Sequence, residues 1–448
     1  MTKEAQFLAT PEAVRLHPAA GSIEASVEIS GSKSLTNRAL ILAALAQSTE
    51  VSEASEVHGI LHCDDSHWCI GALKALGIQI DIDGTTVTVH GCGGKWPLVE
   101  AEVYTGSSGT LSRFLPPALA AGHGRFTLQA SEQMSRRPVG PLLDALSALG
   151  ARVEFLREPG YYPFVLHAEG LQGSEVEVPG DVSSQYLSGL LMATPLATGP
   201  VTVKLQGTLV QPAYIDLTIQ LMRDFGVTVG TAATDGRMAF SVTPQPYLAR
   251  TVTLEADAST AGYFFAVAAL TKGRVRVTNL DSRTAQPDIK LLDVLERMGA
   301  TVVRGDGWTE VEGPAKLQGG FSVSLHEFSD QALTIGALSV FADGPVTVTD
   351  VGHIRKHESD RISALHDCLT RLGIRMDEME DGFTVYPGSV TPGRLPTFDD
   401  HRVAMSMSLI GAVVPGIELV NPGCVAKTCP DFFERWAAIG VGVEMLDG

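Results

Sequence analysis

Four short segments in the first half of the chain put small hydroxyl residues and cations where helices should begin. Gly31-Ser32-Lys33-Ser34-Leu35-Thr36-Asn37-Arg38-Ala39 opens the apolar run Leu40-Ile-Leu-Ala-Ala-Leu-Ala. Gly106-Ser107-Ser108-Gly109-Thr110-Leu111-Ser112-Arg113 is a second such turn, and Met134-Ser135-Arg136-Arg137-Pro138 sets an Arg just before a proline. Val182-Ser183-Ser184-Gln185-Tyr186 leads into Leu187-Ser-Gly-Leu-Leu-Met. A helix start directs backbone N–H groups outward, and Lys and Arg add charge, so the chemistry suggested is the binding of anions. Each segment alone is an ordinary cap beside solvated cations; four in one half read as a shared anion site. The Gly-Lys-Ser/Thr ending of a P-loop and the Gly-x-Gly-x-x-Gly fingerprint are both missing.

The second half adds carboxylates. Asp330 lies in Phe328-Ser329-Asp330-Gln331-Ala332 before an apolar run, where a simple N-cap is the plain alternative. Ile354-Arg355-Lys356-His357-Glu358-Ser359-Asp360-Arg361 crowds ionisable residues as a solvated turn also would. Asp399-Asp400-His401-Arg402-Val403-Ala404-Met405 and Ala426-Lys427-Thr428 complete the set. Asp-Asp-His offers metal ligands, but the Arg after it opposes a cation.

These segments interrupt a repeat. Gly77, Gly150, Gly226, Gly299, Gly373 and Gly440 each follow an apolar residue that ends a helical pattern, and neighbouring positions differ by 73, 76, 73, 74 and 67. Glycine just past a helix adopts the left-handed conformation without a Cβ clash, so each marks a stop. One α/β unit copied six times is the reading. After Gly77, Ile-Gln-Ile-Asp-Ile and Thr-Val-Thr-Val-His flank Asp83-Gly84 as a hairpin. Arg152-Val-Glu-Phe, Val302-Val-Arg and Ile374-Arg-Met repeat the pattern, with partners at Phe164, Thr309 and Phe383. After Gly440 one strand remains without a partner, and Ala13-Val-Arg-Leu-His or Ile23-Glu-Ala-Ser-Val-Glu-Ile is expected to supply it. Two lobes of three units follow: residues 30–254, and 1–29 with 255–448, with crossovers near Gly31 and Glu255.

The chain has 448 residues, 44% of them hydrophobic, enough to bury substantial cores. It lacks an apolar signal core at its start and any run near the roughly 18 residues of a membrane span, so a cytoplasmic protein without a membrane partner is expected. Six cysteines without a Cys-x-x-Cys pair suggest reduced thiols. His62-Cys63-Asp64-Asp65-Ser66-His67-Trp68-Cys69 holds zinc-type donors but lacks a second ligand pair at a familiar spacing, so no metal is expected. A net charge of -18 argues against a nucleic-acid partner. It leaves room for an anionic small substrate, because salt screens distant charges from a local basic cleft.

Taken in order, Gly-Ser-Lys-Ser-Leu-Thr-Asn-Arg, Gly-Ser-Ser-Gly-Thr-Leu-Ser-Arg, Arg-Arg-Pro, Ser-Ser-Gln-Tyr, Asp257-Ala-Ser-Thr-Ala, His-Glu-Ser-Asp-Arg, Asp-Asp-His-Arg-Val-Ala-Met and Ala-Lys-Thr resemble the 5-enolpyruvylshikimate-3-phosphate synthases. The resemblance runs from about Leu16 to Gly448. It implies a two-lobed inside-out α/β barrel, three units per lobe, closing over shikimate 3-phosphate and phosphoenolpyruvate in the shikimate pathway. By motif position, Lys33, Ser34, Arg38, Ser183, Ser184, Gln185, Asp330 and His357 would hold shikimate 3-phosphate. Lys33, Gly109, Arg137, Gln185, Arg361, Arg402 and Lys427 would hold phosphoenolpyruvate. The implied reaction is addition then elimination, with Asp330 as base on the 5-hydroxyl, Glu358 as acid to the methylene, and Lys33 beside the departing phosphate. No cofactor is implied, and a monomer is expected.

The chain departs from the family pattern in several places. Ser107 replaces an amide in the Gly-Asn-Ala-Gly-Thr loop, Gln211 a contacting Ser, His353 an Asn, and His357 a Lys found in many members. An imidazole there implies binding that weakens as pH rises. Gly109 implies sensitivity to glyphosate, qualified by Phe114, where many relatives carry Pro. The UDP-N-acetylglucosamine enolpyruvyl transferases share repeats and donor, but their Lys-Asn-Ala and loop Cys are not matched by Lys33-Ser34-Leu35 and Ser131-Glu-Gln-Met-Ser-Arg-Arg-Pro. A non-catalytic sugar-phosphate-binding homologue is the alternative from another class.

Overall fold

The computed structural model describes residues 11–180, 183–207, 209, 212–234 and 237–447. They form two compact units, one of residues 30–257 with 285–287, the other of the segments up to 29, 258–284 and from 288 onward. Each unit holds three four-stranded sheets of one topology, a parallel edge pair followed by two antiparallel strands, which in five of the six sheets end in a hairpin. In the first unit the sheet Glu175–Pro179, Val201–Gln206, Arg237–Val242, Gly230–Thr234 shows the pattern within one stretch of chain.

Three sheets take a strand from distant chain. Thr251–Thr253 is the parallel edge of the first unit's opening sheet, against Ser55–His58. In the second unit Glu24–Val27 lies parallel to Arg274–Val277. Ala13–His17 runs between Ile417–Val420 and Gly442–Leu446, antiparallel to both. The expected hairpins are present after Gly77, Gly150, Gly299 and Gly373, although the strand expected from Ile374 begins at Met376. The parallel edge strands were not anticipated in the sequence.

The helices divide into two kinds. Those that end at the six stop glycines are amphipathic, and the glycines have φ between 74° and 103°. The others are buried nearly all round: Lys33–Leu45, Leu111–Ala120 and Ser184–Ala193 in the first unit; Ala258–Thr271, Ala332–Ser339 and His401–Gly411 in the second. A helix that is apolar on every face belongs inside a core, which is why the sheets lie outside them. No described helix is long and apolar enough to cross a membrane.

Where the chain passes between units, Gly31 bridges Ala256, and Ser30 and Asp257 share a 2.9 Å backbone hydrogen bond. A Cβ on Gly31 would lie 1.8 Å from the Gly59 carbonyl oxygen, so glycine is obligatory there.

Candidate active site

Buried helices deliver the polar segments, because only their first turns escape the core. In the first unit, Lys33 opens one of them and donates its backbone N–H to Asp257 Oδ2 at 3.0 Å. One turn on, Arg38 is buried, and its described hydrogen bonds go to neutral acceptors: Ser34 O at 2.9 Å, Thr218 Oγ1 at 2.8 Å and Ser188 Oγ at 3.2 Å. Its guanidinium lies 4.9 Å from the Phe114 ring centre and 5.8 Å from that of Tyr214. Burial pulls its pKa down to about 10.

Arg113 is similar. It is buried, donates to Gly109 O at 2.9 Å, and burial and then the nearby Arg137 charge lower its pKa to about 10. Gly109 sits against both guanidinium groups: a Cβ there would fall 2.9 Å from Arg137 Nη1 and 3.1 Å from Arg113 Nη1. Ser183 caps the third buried helix by accepting from Gln185 N at 3.2 Å. The next residue, Tyr186, donates to Pro138 O at 2.6 Å, tying this helix start to the Arg137 segment. Lys33, Ser34, Arg38, Gly109, Arg137, Ser183, Ser184 and Gln185 thus all fall at or beside the starts of buried helices in one unit. Gln211 lies outside the described residues.

The second unit builds a network around Arg361, which is 2% exposed. Its Nε reaches Asp400 Oδ2 at 2.9 Å, its Nη1 Asp330 Oδ1 at 3.0 Å, and its Nη2 Glu358 Oε2 at 2.8 Å. Arg402 takes the other Asp330 oxygen at 2.7 Å, and Lys427 Nζ lies 3.1 Å from Glu358 Oε1. Burial disfavours the Arg361 charge, but Asp400, Glu358 and Asp330 outweigh it and raise the pKa. Asp330 is therefore not the cap of the helix that follows, because its carboxylate spans two guanidinium groups. Nor is 354–361 a solvated turn: Asp360 caps a helix from Arg361 by accepting from Ser363 N at 3.1 Å, and Ile354 and Arg361 are buried.

His357 departs from the expected behaviour. Burial, then the Arg361 charge, holds its pKa well below 6.5, and its Nδ1 accepts from Arg361 Nη1 at 3.1 Å. The ring is a neutral acceptor at physiological pH, so it does not lose charge as pH rises through neutrality. His353, 5.7 Å away ring to ring, bonds Ser329 Oγ through Nε2 at 2.7 Å and is also lowered, by burial.

Sequence reasoning missed three residues here. Asp400 received no role in the sequence, yet it caps the helix His401–Gly411 and holds Arg361. Arg113 received no role, although an Arg four residues after a glycine turn on a buried helix has few places to go. Tyr263, fully buried, faces the Arg402 and Arg361 charges, and the motif Asp257-Ala-Ser-Thr-Ala a turn earlier was its only signal. All six cysteines are free, and Cys63 pairs with Ser66 in a capping box.

A family model for EPSP synthase (3-phosphoshikimate 1-carboxyvinyltransferase) matches residues 18–436. The chain is 51% identical over 433 residues to 3-phosphoshikimate 1-carboxyvinyltransferase 2 of Halalkalibacterium halodurans, covering 96% of this chain and 95% of the relative. It is 40% identical over 416 residues to the 3-phosphoshikimate 1-carboxyvinyltransferase of Trichormus variabilis, covering 92% and 96%. The fold is that of EPSP synthase from Acinetobacter baumannii, with a TM-score of 0.79 at 24% identity over 96% of this chain and 99% of that one. By sequence and by fold, the chain belongs to the EPSP synthase (3-phosphoshikimate 1-carboxyvinyltransferase) family.

Proposed function

We propose that the protein transfers the enolpyruvyl group of phosphoenolpyruvate to the 5-hydroxyl of shikimate 3-phosphate and releases phosphate. The observation that carries this reading is the second unit's network, in which Asp330 and Glu358 are each shared between two cations. Simple anion binding has no use for two carboxylates among its cations; proton transfer has.

Shikimate 3-phosphate is assigned to Lys33, Ser34, Arg38, Ser183, Ser184, Gln185, Asp330 and His357. Phosphoenolpyruvate is assigned to Lys33, Gly109, Arg137, Gln185, Arg361, Arg402 and Lys427. Arg forks suit phosphate and carboxylate bidentately, and Lys acts as a point charge. An arriving anion competes with Asp330 for Arg361 and Arg402, which frees a carboxylate oxygen to take the proton of the 5-hydroxyl. Glu358 takes up a proton from solvent as the arriving anion draws Arg361 and Lys427 from it; the hydroxyl oxygen then bonds C2 while the methylene takes that proton from Glu358, giving a tetrahedral adduct. In elimination the methyl group returns its proton to Glu358, the C2–O bond to phosphate breaks as the double bond re-forms, and the phosphate departs beside Lys33 with the proton that Asp330 had taken. Placement of the reacting groups supplies much of the acceleration.

Monomeric state and cytoplasmic location belong to the same proposal, and sedimentation equilibrium checks the first. The catalytic test is phosphate release from phosphoenolpyruvate with either shikimate 3-phosphate or UDP-N-acetylglucosamine as acceptor. Release with shikimate 3-phosphate alone is expected. Release only with the UDP-sugar, or with neither, overturns the reading.

A further inference from the structure

A site built to gather anions contains one buried residue of the wrong sign. Asp65 is 1% exposed on the first turn of the helix Asp64–Ala75. Its neighbour Asp64 is exposed, and the helix end is already capped by the Cys63 and Ser66 pair, so a buried carboxylate is not required to start the helix. Burying an ionised carboxylate is costly unless it is paired and hydrogen-bonded.

Its partners lie on the proposed active-site segments of the same unit. Asp65 Oδ2 lies 3.9 Å from Lys33 Nζ and accepts from Thr110 Oγ1 at 3.4 Å. Thr110 directly follows Gly109; its hydroxyl is also within 3.2 Å of Ser108 Oγ and receives Asn37 Nδ2. Asn37 stands one turn after Lys33, so Asp65 joins the Lys33 helix start to the Gly109 turn. Asp65 Oδ1 is buried and has no hydrogen-bond partner among the described residues. The carboxylate therefore has unspent capacity on the side away from Thr110.

We infer that Asp65 is a positioning residue that holds the Lys33 ammonium in its working orientation and in register with the Gly109-Thr110 turn. The inference rests on the enolpyruvyl-transfer reading, in which Lys33 serves the departing phosphate. Lys carries its charge on a flexible stem with several rotatable bonds, so a fixed anion beside it selects one arrangement. An anion there also weakens ground-state attraction for substrate, which makes an electrostatic role in turnover distinguishable from one in binding.

The test compares Asp65→Asn with Asp65→Ala. Asn keeps the size and an oxygen for the Thr110 hydroxyl but removes the charge. Expected is a melting temperature close to wild type for Asp65→Asn, kcat down about ten-fold or more, and KM for phosphoenolpyruvate unchanged or lower. Asp65→Ala should lose no more kcat than Asn. In a Lys33→Ala background, Asp65→Asn should cost less than two-fold, because the group it orients is gone. Wild-type kcat in Asp65→Asn, or losses that multiply fully in the double variant, would overturn the inference. The same cycle is run on inorganic phosphate binding by calorimetry, which needs no turnover. Asp65→Asn should change phosphate affinity only when Lys33 is present; equal changes in both backgrounds also overturn the pairing. Absence of turnover in the wild type would instead count against the transfer reading.

Discussion

Arg38 and Arg361 are both buried guanidinium groups, and their surroundings are opposite. Arg38 faces hydroxyls, a carbonyl and two aromatic rings, and burial lowers its pKa to about 10. Arg361 meets three carboxylates, and its pKa is raised despite burial. The first unit therefore stores desolvated positive charge that an incoming anion relieves. The second stores ion pairs that an incoming anion must exchange. Binding affinity is most readily drawn from the former, and proton movement from the latter, since displaced carboxylates become available as bases and acids.

The sharpest way to break this contrast is to remove each charge with an apolar side chain of similar length. Arg361→Met leaves the buried Asp400 without its guanidinium partner and takes one of two cations from the half-buried Asp330 and Glu358, and should cost about 3–5 kcal/mol in urea unfolding. Arg38→Met removes a charge with no described carboxylate partner, so its stability cost should be about 1 kcal/mol or less while shikimate 3-phosphate affinity collapses. Equal unfolding losses in the two variants would erase the distinction.

A smaller effect is expected at Gly109. Its φ is compatible with any residue, so the added methyl of Gly109→Ala acts through the 2.9 and 3.1 Å contacts with Arg137 and Arg113. Displacing those cations should cost about 1–2 kcal/mol of phosphoenolpyruvate binding, roughly a ten-fold rise in KM. Folding should be unaffected, and steady-state kinetics with each substrate varied separates this from a general loss.

The smallest effect concerns pH. Above the ordinary imidazole value near 6.5, His357 is neutral in both the folded and unfolded chain. Below it the unfolded chain binds a proton that the half-buried ring beside Arg361 resists, so stability falls as pH drops, by about 1 kcal/mol at pH 5.5. His357→Gln should flatten that slope between pH 7.5 and 5.5 in thermal melts. An unchanged slope would assign the acid sensitivity elsewhere, with His353 next in line.

The six helix stops and their hairpins were legible because glycine placement and strict alternation are local signals. The parallel edge strands were not: Glu175–Pro179 and Arg394–Pro396 end in Pro, and each joins its partner only across a crossover of about 20 residues rather than through a tight turn. Motif spacing located the cations and carboxylates, but pairing was hidden. Asp330 looks like a cap because a carboxylate before a helix usually is one, and only the tertiary approach of Arg361 and Arg402 overrides it. Asp65 was obscured by its neighbours, since His62, Cys63, His67 and Cys69 draw attention to metal chemistry while the carboxylate that turns inward looks unremarkable among them. His357 was misjudged because burial, which sets its protonation, is not a property of its sequence position.

The strand Ala13–His17 is made long before the two strands that flank it. Arg15 pairs with Glu418 across 403 residues, and both neighbours of its strand come from the final stretch of chain. The unit of residues 30–257 is nearly continuous and can gather its core while synthesis proceeds, whereas the unit holding Arg361 stays open until the strands Ile417–Val420 and Gly442–Leu446 have been made. Through that interval an unpaired strand and half-built sheets are exposed to the cell's chaperones. The unit holding Arg361 is thus the one whose maturation is slowest and whose partly synthesised form is most open to aggregation.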